Sequence, residues 1–367
     1  MTPVMRDSEP IRQRLRENLL RWYGRNGRDL PWRRRRDPYA VWVSEIMLQQ
    51  TQARTVESYF ERFLLQFPDL QALARARLDD VLKAWEGLGY YGRARNLHRT
   101  AKLVRRHYGG RLPGTAEELA ALPGIGPYTA GAIASLAFGR DEPVLDGNVI
   151  RVLIRLFLIR DDVTRPRTRN IMWRLAGRLL PAGCAGQFNE ALMDLGALVC
   201  IPRQPRCPRC PVRKDCRALT AGRQLDVPVR KRHKPLPHHQ IAIGIIWRRD
   251  LVLIDRRKPQ GLLGGLWEFP GGKCELGESL TGCLAREVRE ELGIQVSVGK
   301  ELMTVRHAYT HFRVTLHAFV CRYVGGRARA IGCSGCKWVR LQELERFAFP
   351  AANRRIIDAL KEGEGRA

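Results

Sequence analysis

Acidic residues are scarce in this chain: 37 Asp and Glu stand against 64 Lys and Arg in 367 residues, a formal net charge of +27. A protein so short of negative charge repels itself and calls for a polyanionic partner. Nucleic acid is the first candidate, ahead of an anionic membrane surface. Long apolar runs are missing too. None approaches the ~20 residues needed to span a bilayer, so no transmembrane helix and no membrane partner are expected. The first 30 residues carry Asp7, Glu9 and Glu17 and no apolar core segment, so no signal peptide is expected and the location reads as cytoplasmic. Repeats at solenoid spacing are absent. What is present is 44% hydrophobic residues, enough for real cores. The length exceeds the ~250 residues of one usual core and suggests two domains. The ten cysteines point to metal or redox use rather than to disulfides.

The pattern changes once along the chain. From Pro10 to about Gly222 it is mostly helical, with apolar residues three and four apart at Leu15, Leu19 and Trp22 and again at Val152, Leu153, Leu156 and Phe157. Residues 1–222 therefore read as an all-α domain. Residues 223–238 read as a basic linker, with Arg223, Arg230, Lys231, Arg232 and Lys234 among Pro228, Pro235 and Pro237. Residues 239–367 read as a smaller α+β domain. Ile241, Ile243 and Ile245 alternate as in a strand, and one helix is expected over about 279–292.

Four cysteines, Cys200, Cys207, Cys210 and Cys216, lie at the spacing C-x6-C-x2-C-x5-C. Four thiolates in a compact loop can close around zinc or an iron–sulfur cluster. Zinc knuckles use two C-x-x-C pairs and only one is here, which favours the cluster. Earlier in the chain, Leu122-Pro-Gly-Ile-Gly-Pro-Tyr-Thr-Ala130 sits between helical stretches. Gly124 and Gly126 allow a tight turn whose N–H groups, near a helix start, can cradle a phosphate. Asp146-Gly-Asn148 follows.

These three features together resemble the helix–hairpin–helix DNA glycosylase superfamily, in particular its iron–sulfur branch with endonuclease III and the MutY adenine glycosylases. The resemblance covers residues 10 to 222 in order. It implies a [4Fe-4S] cluster on the four cysteines, a DNA-associated location at the nucleoid, action as a monomer, and duplex DNA as partner. Bifunctional relatives place a lysine two residues after the second hairpin glycine, where its amine forms a Schiff base. Tyr128 stands there and cannot, so a monofunctional enzyme is expected. Val43-Ser-Glu-Ile-Met-Leu-Gln-Gln-Thr-Gln52 resembles the MutY motif and sets Glu45 among apolar neighbours, where its pKa should rise. By the resemblance, Glu45 protonates adenine at N7 and Asp146 stabilises the sugar cation, a division of labour known from glycosidases. Asp146 is also placed to cap the helix that follows it. Tyr128 and Asn148 orient these two groups. Gln50 and Thr51, with Leu88, Gly89 and Tyr90 of Gly87-Leu-Gly-Tyr-Tyr-Gly92, match DNA-reading positions. Arg28, Trp32 and Glu190 match the adenine pocket. The implied substrate is adenine opposite 8-oxoguanine or guanine, flipped out of the duplex before excision. Two rivals remain: a bifunctional pyrimidine-lesion glycosylase of the endonuclease III type, and a nucleotide-pool hydrolase fused to a DNA-binding module.

The second domain carries Gly272-x5-Glu278-x7-Arg286-Glu-Val-Arg-Glu-Glu-Leu-Gly-Ile294, a Nudix box complete at every specified position. Glu287, Glu290 and Glu291 share one helical face and, with Glu278, can bind Mg²⁺ against a diphosphate. MutY proteins carry a Nudix-like domain that reads 8-oxoguanine, commonly with a degenerate box. Here the box is either a structural relic, the favoured reading, or a second pyrophosphatase. Tyr309, Thr310 and His311 resemble the aromatic–Ser–His triplet that senses 8-oxoguanine.

Overall fold

The computed structural model describes residues 8–229, 235–309 and 312–363. The chain divides into two compact units, one of residues 1–75 with 96–232, the other of 76–95 with 233–367.

The first unit is helical. Its central helix, Pro38–Leu48, starts where Asp37 accepts the Ala40 N–H at 2.9 Å, with Pro38 in the first turn. That is the usual side-chain cap and first-turn proline. Residues 39–47 of this helix are all buried, so Glu45 is carried into the interior with its apolar neighbours. The short helix Ala116–Ala120, a turn, and the helix Pro127–Phe138 form the expected hairpin. Gly124 turns it at φ +80, and a Cβ there would meet Asn96 Cβ at 2.7 Å. The helix Gly147–Phe157 lays Val149, Val152, Leu153, Leu156 and Phe157 into the core and ends on Leu158 at positive φ. The helix Ala185–Asp194 runs into one π turn, Leu195–Val199, which delivers the chain to Cys200. Among the described residues no helix is long and apolar enough to cross a membrane.

The second unit is a mixed sheet between two helices. Its strands are β1 (His238–Arg248), β2 (Leu251–Arg256), β3 (Trp267–Glu268), β4 (Gly271–Lys273), β5 (Ile294–Ala308), β6 (Arg313–Gly326) and β7 (Gly335–Arg340). Their order is β3-β2-β1-β6-β5, with β4 beside β1 and β7 beside β2. Among the described residues only the β1–β6 pair is parallel. β1 was expected to alternate, yet residues 242–246 are buried on both faces. The cause is a core on each side. Ile243 and Ile245 pack with Ile356, Ile357 and Leu360 of the helix Ala351–Lys361. Ala242 and Ile246 pack with Leu284, Val288 and Leu292 of the helix Leu280–Leu292, which carries the Nudix box.

Candidate active site

The first unit brings Glu45, Tyr128, Asp146 and Asn148 from three helices into one site, with Glu45 buried and the other three half-buried. Glu45 is 3% exposed. The Tyr128 hydroxyl donates to Glu45 Oε2 at 2.8 Å. Burial pushes the Glu45 carboxyl up to about 7; the Tyr128 hydrogen bond opposes this, and the negative charges of Asp146 and Glu190 add to it. A group so placed keeps its proton up to about pH 7, where a general acid can give it up. Tyr128 is half-buried, and desolvation with the negative charges of Glu45 and Asp146 raises its own pKa well above the usual value and keeps the phenol a donor.

Asp146 caps the helix Gly147–Phe157. Its Oδ1 accepts the Val149 N–H at 2.7 Å and its Oδ2 accepts Asn148 Nδ2 at 2.9 Å. Burial raises its pKa, and these donors oppose the rise. The cap expected from sequence is thus formed by the same side chain to which the resemblance assigns the sugar cation. Asn148 is held in turn by Arg151, whose Nη2 reaches Asn148 Oδ1 at 2.9 Å and Gly196 O, while its Nε reaches Cys200 O at 2.7 Å. A hydrogen-bonded line therefore runs from Asp146 to the cysteine loop. Gly196 makes the packing possible, since a Cβ there would lie 2.6 Å from Asn148 Cβ.

Trp32 is buried edge-on against Phe60. Arg28 and Glu190 are built into an ion network centred on Asp194. Arg28 Nε and Arg33 Nη1 each reach Asp194 at 2.7 Å, Arg33 Nε lies 3.4 Å from Glu190 Oε1, and the Tyr23 hydroxyl donates to Glu190 Oε2 at 3.0 Å. Burial alone would raise Asp194, but the bonds and charge of Arg33 bring its carboxyl below the usual range. Tyr23, Arg33 and Asp194 escaped sequence reading because nothing within the run Arg33–Arg36 sets Arg33 apart from its neighbours. Its partner lies 161 residues on, and no local pattern links them.

Gln50 is exposed at φ +57 in the turn after Pro38–Leu48, with Thr51 partly buried beside it. Gly126 caps the helix Pro127–Phe138, and a Cβ there would meet nothing within 4 Å. Its open face and the N–H groups of that helix suit a phosphate.

The four cysteine thiols are unpaired and line one small cavity with Arg155, Val199 and Gln224. Among the described residues no three His, Cys, Asp or Glu side chains are gathered to hold a single ion. An iron–sulfur cluster takes four thiolates around one core, and a cavity lined by four cysteines fits that donor set. Arg155, 2% exposed, donates to Cys200 Sγ at 3.4 Å, to Ile201 O at 2.8 Å and to Pro202 O at 2.9 Å. Sequence reading had given Arg155 no role. The signal was available, in a charged residue four positions after Arg151 on an otherwise apolar helix.

In the second unit Arg286 gathers the box acids. It grips Glu278 at 2.8 and 2.9 Å and reaches Glu287 at 2.9 Å and Glu290 at 3.2 Å. With three of the four acids on one guanidinium, the group does not fit a magnesium ion in this arrangement. Tyr309 closes β5, its ring 4.9 Å from that of Phe312 and 4.6 Å from that of His307. Thr310 and His311 lie outside the described residues. Beside this hairpin runs a groove lined by His238, His307 and His317 with Arg306, Arg313 and Arg355.

Residues 43–178 match the family model described as the HhH-GPD superfamily base excision DNA repair protein, and residues 242–359 match the NUDIX domain. The chain is 36% identical over 401 residues to a rat protein named adenine DNA glycosylase, covering 95% of this chain and 78% of the relative. It is 34% identical to the protein of that name from Buchnera aphidicola (Acyrthosiphon pisum), covering 83% and 85%. Among solved structures it resembles a thermostable thymine-DNA glycosylase at 31% identity and TM-score 0.54, covering 58% of this chain and 98% of that one.

Proposed function

The chain belongs to the adenine DNA glycosylase family of base excision repair enzymes, and from that premise we propose that Glu45 and Asp146 excise adenine opposite 8-oxoguanine or guanine in duplex DNA. The observation that carries this reading is the buried Glu45 carboxyl, raised to about 7 and held by Tyr128. With the adenine flipped into the site, Glu45 gives its proton to N7. The C1′–N9 bond breaks and its electron pair leaves with the base. The Asp146 carboxylate stabilises the positive charge left on the sugar. Water then adds at C1′ and gives up its proton to Glu45. No amine stands at position 128, so no Schiff base forms and the strand stays intact. Trp32, Arg28 and Glu190 wall the base pocket. Gln50, Thr51, Gly89 and Tyr90 read the DNA around the mispair, with the backbone phosphate on Gly124 and Gly126, while Leu88 packs inward. Tyr309 reads the base opposite.

Cys200, Cys207, Cys210 and Cys216 would hold a [4Fe-4S] cluster. When bound, it cross-links the basic loop beside Arg155 and contributes structure rather than base chemistry. With Glu278, Glu287 and Glu290 held by Arg286, the Nudix box is read as structural in this proposal.

Single-turnover base release from an adenine:8-oxoguanine duplex tests the assignment. Glu45→Gln should bind the duplex and release no adenine. Wild-type release rates in that variant would remove Glu45 from the chemistry. Release from a thymine-glycol duplex instead of the adenine mispair would move the chain to the pyrimidine-lesion branch.

A further inference from the structure

Residues 76–95 lie inside the stretch matched to the glycosylase family, yet they are built into the second compact unit. Named contacts hold them there. Arg354 Nη2 grips both carboxylate oxygens of Glu86 at 3.0 Å, and the Phe349 N–H donates to Glu86 Oε1 at 2.8 Å. Lys83 Nζ donates to Phe347 O at 3.1 Å, and the Tyr91 hydroxyl to Phe349 O at 3.4 Å. Arg256 pairs with Asp79, and Arg95 donates to Gly264 O. The Glu86 and Arg354 side chains are only 18% and 20% exposed, so this charge-assisted pair is less screened than a surface one.

Between these anchors lies the loop Gly87–Tyr90. Gly87 and Gly89 have φ +96 and +73, and Tyr90, a bulky residue, is held at +48. Such a conformation persists only where surroundings impose it. Here Trp85 Nε1 donates to Gly89 O at 3.2 Å, Arg93 Nη2 donates to Leu88 O and Gly89 O, and the Arg93 guanidinium lies 5.4 Å from both the Trp85 and Tyr90 rings. The result is selective. Leu88 is turned inward at 6% exposed, and the Tyr90 ring is offered outward at 44%.

We propose that this loop is a DNA-reading element of the second unit, and that Glu86 and Arg354 are positioning residues that set Tyr90 for insertion beside the mispair. The proposal rests on the reading above that the loop meets DNA. It adds that Tyr90 and Tyr309 belong to one body. Capture of the base opposite adenine and insertion into the stack are then coupled through that body, without a signal from the catalytic acids.

The test uses the full chain and an adenine:8-oxoguanine duplex with 2-aminopurine next to the mispair. Its fluorescence rises when a neighbouring stack is opened. Tyr90→Ala should reduce that rise about fivefold or more, the weight of one base–aromatic stack. Arg354→Ala should reduce it comparably, Arg354→Lys should restore part of it, and the Tyr90→Ala/Arg354→Ala double variant should lose no more than either single one. Affinity for undamaged duplex should stay within about twofold in Arg354→Ala, since no phosphate contact is assigned to it. A full rise in Arg354→Ala, or losses that multiply in the double variant, overturns the proposal. No loss in Tyr90→Ala overturns it together with the DNA-reading role of the loop, while base release blocked in Glu45→Gln still stands apart. Should Arg354→Ala not fold, Glu86→Gln, which keeps an acceptor for the Phe349 N–H, is judged by the same outcomes.

Discussion

At the scale of single residues, a carboxyl that keeps its proton to about pH 7 has consequences for both rate and stability. The proposed reaction needs Glu45 protonated and Asp146 ionised, so kcat/KM should follow a bell with its alkaline limb near 7. The Tyr128 hydrogen bond favours the ionised form of Glu45. Tyr128→Phe should therefore move the alkaline limb to higher pH, and an unmoved limb would separate Tyr128 from the acid. For stability the sign is the reverse of an ordinary buried ion pair. Between the usual 4.5 and about 7 the unfolded chain gives up this proton while the folded one keeps it. Stability present below that window is lost as pH rises through it, by roughly 3 kcal/mol. Glu45→Gln has no such titration. It should be inactive yet unfold at a higher temperature than the wild type at pH 8, with the gap closing near pH 5. Thermal melts at the two pH values check this.

At the scale of elements, the helix Gly147–Phe157 joins the chemistry to the cysteine loop. Its cap is also the carboxylate proposed to stabilise the sugar cation, and two substitutions separate these roles. Asparagine caps a helix about as well as aspartate. Asp146→Asn should then leave stability within about 0.5 kcal/mol, while base release falls steeply because the carboxylate charge is gone. A large loss of stability would instead make the cap its main role. Gly196→Ala acts from the neighbouring π turn. Its added methyl meets Asn148 Cβ at 2.6 Å, with the Asn148 backbone also close. Overpacking of this kind costs about 1–3 kcal/mol, and the displaced Asn148 should slow base release while duplex affinity holds. Denaturant titration and single-turnover rates read the two effects apart.

At the scale of the whole molecule, the charge of +27 is the property that DNA binding draws on. Arg306, Arg313 and Arg355 line the groove beside Tyr309, and no acid lies among the described residues that line it. Replacing all three with alanine should lower the slope of log affinity against log salt by up to about 3, close to one per lost phosphate contact. Base release at saturating duplex should be unchanged. An unchanged slope would place the duplex elsewhere on this unit.

Much of this protein was legible without coordinates, because its chemistry is carried by local patterns. The hairpin glycines, the Asp146-Gly-Asn148 cap, the cysteine spacing and the Nudix box each lie within a few turns of chain, where backbone geometry and ligand spacing act. Glu45 was readable as a buried acid because its neighbours in sequence are apolar and the helix carries them inward together. The tertiary structure alone decided what depends on residues far apart in the chain. It drew Arg33 out of a run of arginines and onto Asp194. It buried β1 on both faces, put Arg155 against the cysteine loop, and placed residues 76–95 in the second unit through Glu86 and Arg354. Ion pairs and packing between distant segments leave no period or spacing in a sequence. They follow from which surfaces meet once the helices and the sheet have formed.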